Sequence, residues 1–182
     1  MASLFSHAAA ALAIGACFYR PEVPKTVWAL GAFVAVLPDA DVVAFALGIP
    51  YEHMLGHRGL SHSLLFAAIV AALGLLAFRG GVSGEVPGIG RGALFLYLFL
   101  AAASHGALDA LTNGGLGVAF LAPFDDRRVF FPVQPIQVSP IGIARFFSAR
   151  GWAVIRSEMV WVWLPSALLA LTALAVRLRH GD

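Results

Sequence analysis

Charge is what this sequence has least of. Only 12% of its 182 residues are Asp, Glu, Lys or Arg, whereas 60% are hydrophobic. A soluble domain carries about 25% charged residues. That shortfall, with a mean hydropathy of +0.84, excludes a chain that meets water over its whole surface and indicates an integral membrane protein. The net charge is only +2, and the run Asp125-Asp126-Arg127-Arg128 cancels itself, so nucleic acid is not the expected partner. A single cysteine, Cys17, excludes an intrachain disulfide and says nothing about redox compartment. Its expected neighbour is lipid or another helix. The N-terminal stretch lacks a basic segment before its apolar run, and Arg20 follows the run. It therefore reads as a retained first helix and not as a cleaved signal. The glycine-rich stretch 80–92 reads as a turn region, and the absence of a GK(S/T) ending excludes a phosphate-binding loop there. No sequence repeat is visible, and residues 1–182 are read as a single membrane-embedded domain.

What is present is a series of apolar segments. Residues 3–19 are apolar up to Arg20-Pro21, a little short of the ~20 residues that cross a bilayer. Residues 25–49 are long enough, but Pro38 lies inside them. A break near Leu37 is expected, because the residue before a proline is pushed out of the helical region. Asp39 or Asp41 would cap a short second helix after that break. Residues 62–79, 93–113 and 158–178 are further spans, the second ended by Gly114-Gly115 and the third opened by a Trp belt. Residues 114–157 hold five arginines and four prolines and read as an interfacial loop with short helices. The fold class expected is all-α: a polytopic integral membrane helix bundle of about four to five transmembrane helices, one of them broken, with a long interfacial loop.

Laying these segments alternately across a membrane has a consequence that the alternation does not force. His7, Asp39, Asp41, His57, His62, His105 and Asp109 all fall toward one side, from four segments spread over about a hundred residues of sequence. His105 and Asp109 are four apart in a helix, so they share a face. Imidazole and carboxylate together are the donor set of zinc or manganese. Seven groups exceed the four donors of one tetrahedral ion, so they suit two ions or one ion with an outer layer. Each histidine taken singly also fits a structural hydrogen-bonding role, and the aspartates fit capping. Yet ionisable groups at membrane depth cost several kcal/mol unless paired or hydrated. His53, beside Glu52 in a loop, and His180, in the tail, are read as non-ligands. Arg58 lies inside the histidine motif, where a guanidinium suits a phosphate or carboxylate. Arg127 and Arg128 suit the same anions or anchoring at headgroups. Glu158 reads as a buried acid or an interfacial charge.

The segments "LPDADVV" (37–43), "HRGLSHS" (57–63) and "HGALDALTNGG" (105–115), with the late "PFDDRRVFFPVQPIQVSPIG" (123–142), resemble the YdjM-type family of membrane-bound metal-dependent hydrolases. The resemblance covers most of the chain and keeps the motif order. It implies a small multi-pass protein of the plasma (inner) membrane with a metal-dependent hydrolytic site. It carries over His57, His62, His105, Asp109, Asp39 and Asp41, with His7 on the first helix also in the pattern. The divalent metal expected is zinc, with manganese or iron as alternatives, as one or two ions. In this reading the metal ligands are His7, Asp39, His57, His62, His105 and Asp109. Asp41 is a catalytic base, although either Asp39 or Asp41 can be ligand or base, and Arg58 steadies the developing anion. The expected substrate is an amphiphilic molecule or phosphoester among the membrane lipids. Two rival readings use the same cluster: ion, proton or small-solute transport, and haem held by paired histidines. Lysines and arginines divide evenly between the two sides, so the positive-inside rule leaves the orientation open. The oligomeric state is likewise open.

Overall fold

A computed structural model describes residues 1–78, 86–140, 146 and 148–180. The helix end expected at Arg79-Gly80-Gly81, and Arg145, lie outside the described residues. Among the described residues the architecture is helical, with isolated bridges but no strand.

The first helix, α1 (Leu4–Ala16), is followed by α2 (Lys25–Val36). The α-helix ends at Val36, just before Pro38, where the break was expected. The chain tightens into a 3-10 segment, Leu37–Val42, and goes on as α3 (Val43–Ala46). Proline removes one backbone donor, and a change of winding absorbs the loss while keeping the direction. Lys25–Ala46 thus runs as a 22-residue, predominantly apolar span, interrupted as expected. Neither Asp39 nor Asp41 caps a helix here; no side-chain cap bond forms at either boundary. Their carboxylates turn to other donors, described below.

Helix α4 (Leu64–Ala77) starts on Ser63, whose Oγ accepts from Phe66 N at 3.1 Å. Helix α5 (Arg91–Ala110) is the central element, packing against α1, α2 and α4. Their shared core is built from small and branched residues, among them Ala11, Val27, Val34, Ala67, Ala71, Leu94, Leu98 and Ala101. Small side chains let apolar helices approach closely where lipid offers no competing hydrophobic drive. Tyr97 of α5 lies in this core, fully buried, against Gly15 of α1 and Gly31 of α2.

The last helical stretch begins earlier than the sequence suggests. Helix α6 (Ala149–Glu158) is capped by Ser148, passes into a π turn at Met159–Trp163, and continues as α7 (Leu164–His180). Together Ala149–Arg179 form 31 residues of apolar helix. The residues "SARGW", read from sequence as part of a loop, hold its first turn. Helix α7 packs on α1, and its outer face is apolar, with Leu171 65% and Leu178 83% exposed. Three stretches, Lys25–Ala46, Arg91–Ala110 and Ala149–Arg179, are long and apolar enough to cross a membrane; α1 and α4 are apolar but shorter. The four to five spans expected thus become three long helices and two short ones.

Candidate metal centre

The histidines and aspartates gather where α1, the 3-10 segment, α4 and α5 meet. Asp39 sits on the 3-10 segment, His62 just before α4, and His105 and Asp109 one turn apart at the end of α5. One donor atom from each of these four lies within 4.8 Å of every other, and all four residues are buried.

The hydrogen bonds around this group fix where its protons lie. His105 Nδ1 is 2.7 Å from the carbonyl oxygen of Ala35. A carbonyl can only accept, so Nδ1 carries the proton and Nε2 presents a lone pair. His62 Nδ1 lies 3.0 Å from Ser61 Oγ and 3.2 Å from Asp41 Oδ2. Ser61 Oγ already donates to Asp41 Oδ2, at 2.5 Å. Either neighbour can therefore only accept from His62 Nδ1, and the neutral ring also turns a lone pair inward at Nε2. The two Nε2 atoms face each other at 3.0 Å. Asp39 Oδ1 is 3.3 Å from His105 Nε2, and Asp109 Oδ2 is 3.5 Å from His62 Nε2.

Four acceptors converging in this way repel one another unless a cation lies between them. Two imidazoles and two carboxylates are a zinc-type donor set, for which neighbouring donors sit roughly 3.4 Å apart around a tetrahedral ion. Both oxygens of Asp39 are buried without a hydrogen-bond partner, whereas Asp109 Oδ2 has Arg58 Nε 3.0 Å away. A buried unsatisfied carboxylate is expensive, and an ion would satisfy Asp39. The residues present therefore fit a divalent metal.

The other sequence-derived residues surround the four. His57 Nδ1 contacts Asp41 Oδ1 at 2.6 Å, so Asp41 links His57, Ser61 and His62; Asp41, His57 and His62 form a second group of metal-ligand types. His7 stacks on His105 with ring centroids 3.7 Å apart, and its Nε2 is 3.6 Å from Asp109 Oδ1. Neither of its ring nitrogens has a hydrogen-bond partner. His7 borders the four-donor group without belonging to it. His53 Nδ1 accepts from Leu55 N in its own turn.

Arg58, expected to steady an anion, is fully buried, with its guanidinium turned to groups of the protein. Nε lies 3.0 Å from Asp109 Oδ2, Nη1 donates to Gly114 O at 2.8 Å, and Nη2 donates to Thr112 Oγ1 at 2.9 Å. Its φ of 63° is in the left-handed region, where a non-glycine residue is uncommon. Gly59 follows because a Cβ there would lie 2.0 Å from Met54 O. The turn thus aims Arg58 inward at Asp109.

Of the two sequence readings of Glu158, the buried acid is what the structure shows: it is fully buried, and its carboxylate accepts from both the backbone N–H and the hydroxyl of Ser3. Two contributors escaped the sequence reading. Ala2 N donates to Asp109 Oδ1 at 2.7 Å. Arg128, suited from sequence to anions or headgroups, donates instead to three carbonyls: His57 O at 2.9 Å, Tyr51 O at 3.0 Å and His53 O at 3.1 Å. No local pattern signals that role, because the partners lie more than seventy residues away. A lysine would present a point charge in place of this fork. Arg128→Lys should therefore speed amide hydrogen exchange at Gly59 and Leu60 about tenfold, or about 1.4 kcal/mol of local stability, while exchange in α7 stays unchanged.

The YdjM inner membrane protein family matches residues 1–181. Inner membrane protein YbcI of Escherichia coli (strain K12) is 39% identical over 173 residues, covering 93% of this chain and 95% of the relative. No solved structure matches the chain. A match over nearly the whole length, in a chain with three apolar helices of spanning length, settles both kinship and location: the chain belongs to the YdjM family and is an inner membrane protein.

Proposed function

We propose that the chain is a membrane-bound hydrolase that holds one divalent metal ion on Asp39, His62, His105 and Asp109 and cleaves a phosphoester or lipid-like substrate. The observation that carries this is the convergence of two Nε2 lone pairs and the carboxylate oxygens of Asp39 and Asp109, with both Asp39 oxygens lacking a hydrogen-bond partner. Zinc suits a four-donor N/O set; manganese and iron share those ligands. A single ion is favoured because His62 Nδ1 is turned to Asp41, so a second ion in the Asp41 group would compete for the same imidazole. Bound there, the metal supplies a Lewis acid that makes a nearby water acidic near neutral pH.

The chain's own residues do the rest. Asp41 fixes the tautomers of His62 and His57 and, outside the four donors, offers a carboxylate base beside them. His57, held through Nδ1, is oriented to carry a proton at Nε2. Arg58 acts as a positioning residue that fixes Asp109. Phosphoester or lipid substrates are favoured because the group lies at the ends of α2 and α5 and the start of α4, toward one membrane face.

The test is metal content of the purified protein by elemental analysis, with a panel of phosphoesters, esters and amides. The expected result is one equivalent in the wild type, its loss in His62→Ala, and a lower melting temperature after chelation, because a ligand bound only to the folded state stabilises it. No metal after reconstitution with zinc, manganese and iron would sink the proposal. The 3-10 interruption between α2 and α3 favours one second reading, ion passage along the same donors. Metal flux into proteoliposomes, lost in His105→Ala, would replace hydrolysis with transport.

A further inference from the structure

A cavity of about 550 Å³ opens beside the metal centre, bounded by Met1, Tyr51, His57, Val138, Ser139 and Arg150 among others. It reaches the centre at two points. His57 holds Asp41, and the Met1 amino group lies 3.9 Å from Asp109 Oδ1. The volume falls in the range of small-molecule sites and accommodates a phosphate-sized head with the first carbons of a chain. Val138 and Pro140 supply an apolar wall, and Ser139 and Ser148 supply hydroxyls.

Arg150 is the unusual member. It is exposed at the cavity wall and makes no hydrogen bond or ion pair among the described residues. It also lies in the first turn of α6, where no acid accompanies it and where the helix dipole disfavours a cation. The other arginines described on this side are placed differently. Arg58 is held by Asp109, Arg127 by Asp125, and Arg128 by carbonyls, while Arg156 sits in the last turn of α6, where the dipole favours it. No partner among the described residues accounts for a guanidinium at position 150; an anion in the cavity would. Trp152 follows on the same helix, 61% exposed, as suits a membrane–water boundary.

We propose that this cavity docks the anionic head of an amphiphilic substrate and that Arg150 recognises it through its guanidinium fork. The assignment rests on the hydrolytic reading above and names the substrate class of that site. The shared chemistry is a phosphate or phosphonate group, whether carried by a lipid or by a soluble phosphoester.

The experiment titrates the full chain, in an uncharged maltoside detergent, with decylphosphonate, whose C–P bond resists hydrolysis, by calorimetry. The wild type should bind. Arg150→Gln should weaken binding about tenfold or more, and Arg150→Lys should lose less. Because the side chain is exposed, neither substitution should move the melting temperature by more than a few degrees. Displacement by inorganic phosphate at similar concentration identifies a soluble phosphoester; failure of phosphate to displace identifies a lipid. Either result supports recognition at Arg150. Absence of wild-type binding, or affinity indifferent to Arg150→Gln, overturns it. Metal content of the same samples separates the two proposals. A metal-free wild type that binds through Arg150 sinks hydrolysis alone, and a metal-loaded protein indifferent to Arg150 sinks this inference alone.

Discussion

Asp109→Ala should destabilise the protein by about 3–5 kcal/mol and abolish metal binding. Asp109 is fully buried and meets two donors at once, Arg58 Nε at 3.0 Å and Ala2 N at 2.7 Å, while its Oδ2 lies 3.5 Å from His62 Nε2. Removing it strands the Arg58 guanidinium, itself fully buried, with no carboxylate. Uncompensated buried charge is the most costly kind of loss, whereas removing both charges together is often tolerated. The double variant Arg58→Met/Asp109→Ala should therefore recover much of the melting temperature while remaining free of metal. That split separates the structural duty of Asp109 from its ligand duty. Recovery of metal in the double variant, or equal stability of single and double variants, would refute the pairing described.

Gly31→Ala should be nearly as damaging, in a region with no polar chemistry. A Cβ at this position would lie 1.8 Å from the Tyr97 hydroxyl and 2.3 Å from its ring carbon. Overpacking a tight core costs about 1–3 kcal/mol. Relief must come from the ring, because the backbones of α2 and α5 are held close along their length. Gly31→Ala combined with Tyr97→Leu should be more stable than the sum of the single effects predicts, with a coupling of about 1 kcal/mol or more. Tyr97→Phe alone should be near neutral, since its hydroxyl is buried with no hydrogen-bond partner and its removal leaves no donor stranded. Thermal unfolding of the wild type and the four variants in detergent measures both; additive behaviour would mean that α2 and α5 can move apart.

The resemblance in motif and the alternation of apolar segments were enough to bring seven polar groups to one side. The spacing of His105 and Asp109 placed both on one helix face. The partition of those seven was not legible. It depends on which ring nitrogen carries a proton, which in turn depends on Ala35 O and Ser61 Oγ, contacts that spacing does not reveal. The direction of Arg58 was hidden for a different reason: a left-handed backbone at a non-glycine residue is set by the turn around it. The broken second span was legible because proline acts locally. The true start of the last helix was missed because aromatics and arginines at a membrane boundary look alike in a loop and in a helix's first turn.

The π turn at Met159–Trp163 also sets the register of the last span. Across five residues an α-helix turns about 500°, leaving positions 158 and 163 roughly 140° apart, whereas a wider π turn brings them to within about 50°. Glu158 reaches Ser3 and Trp163 Nε1 reaches Ser6 Oγ at 2.8 Å, so both ends of the π turn dock on the same neighbour. Used as a ruler, this helix is one residue out of step. A heptad or helical-wheel count begun in α6 assigns the wrong sides to α7, and the count of lipid-facing and protein-facing positions has to restart at Leu164.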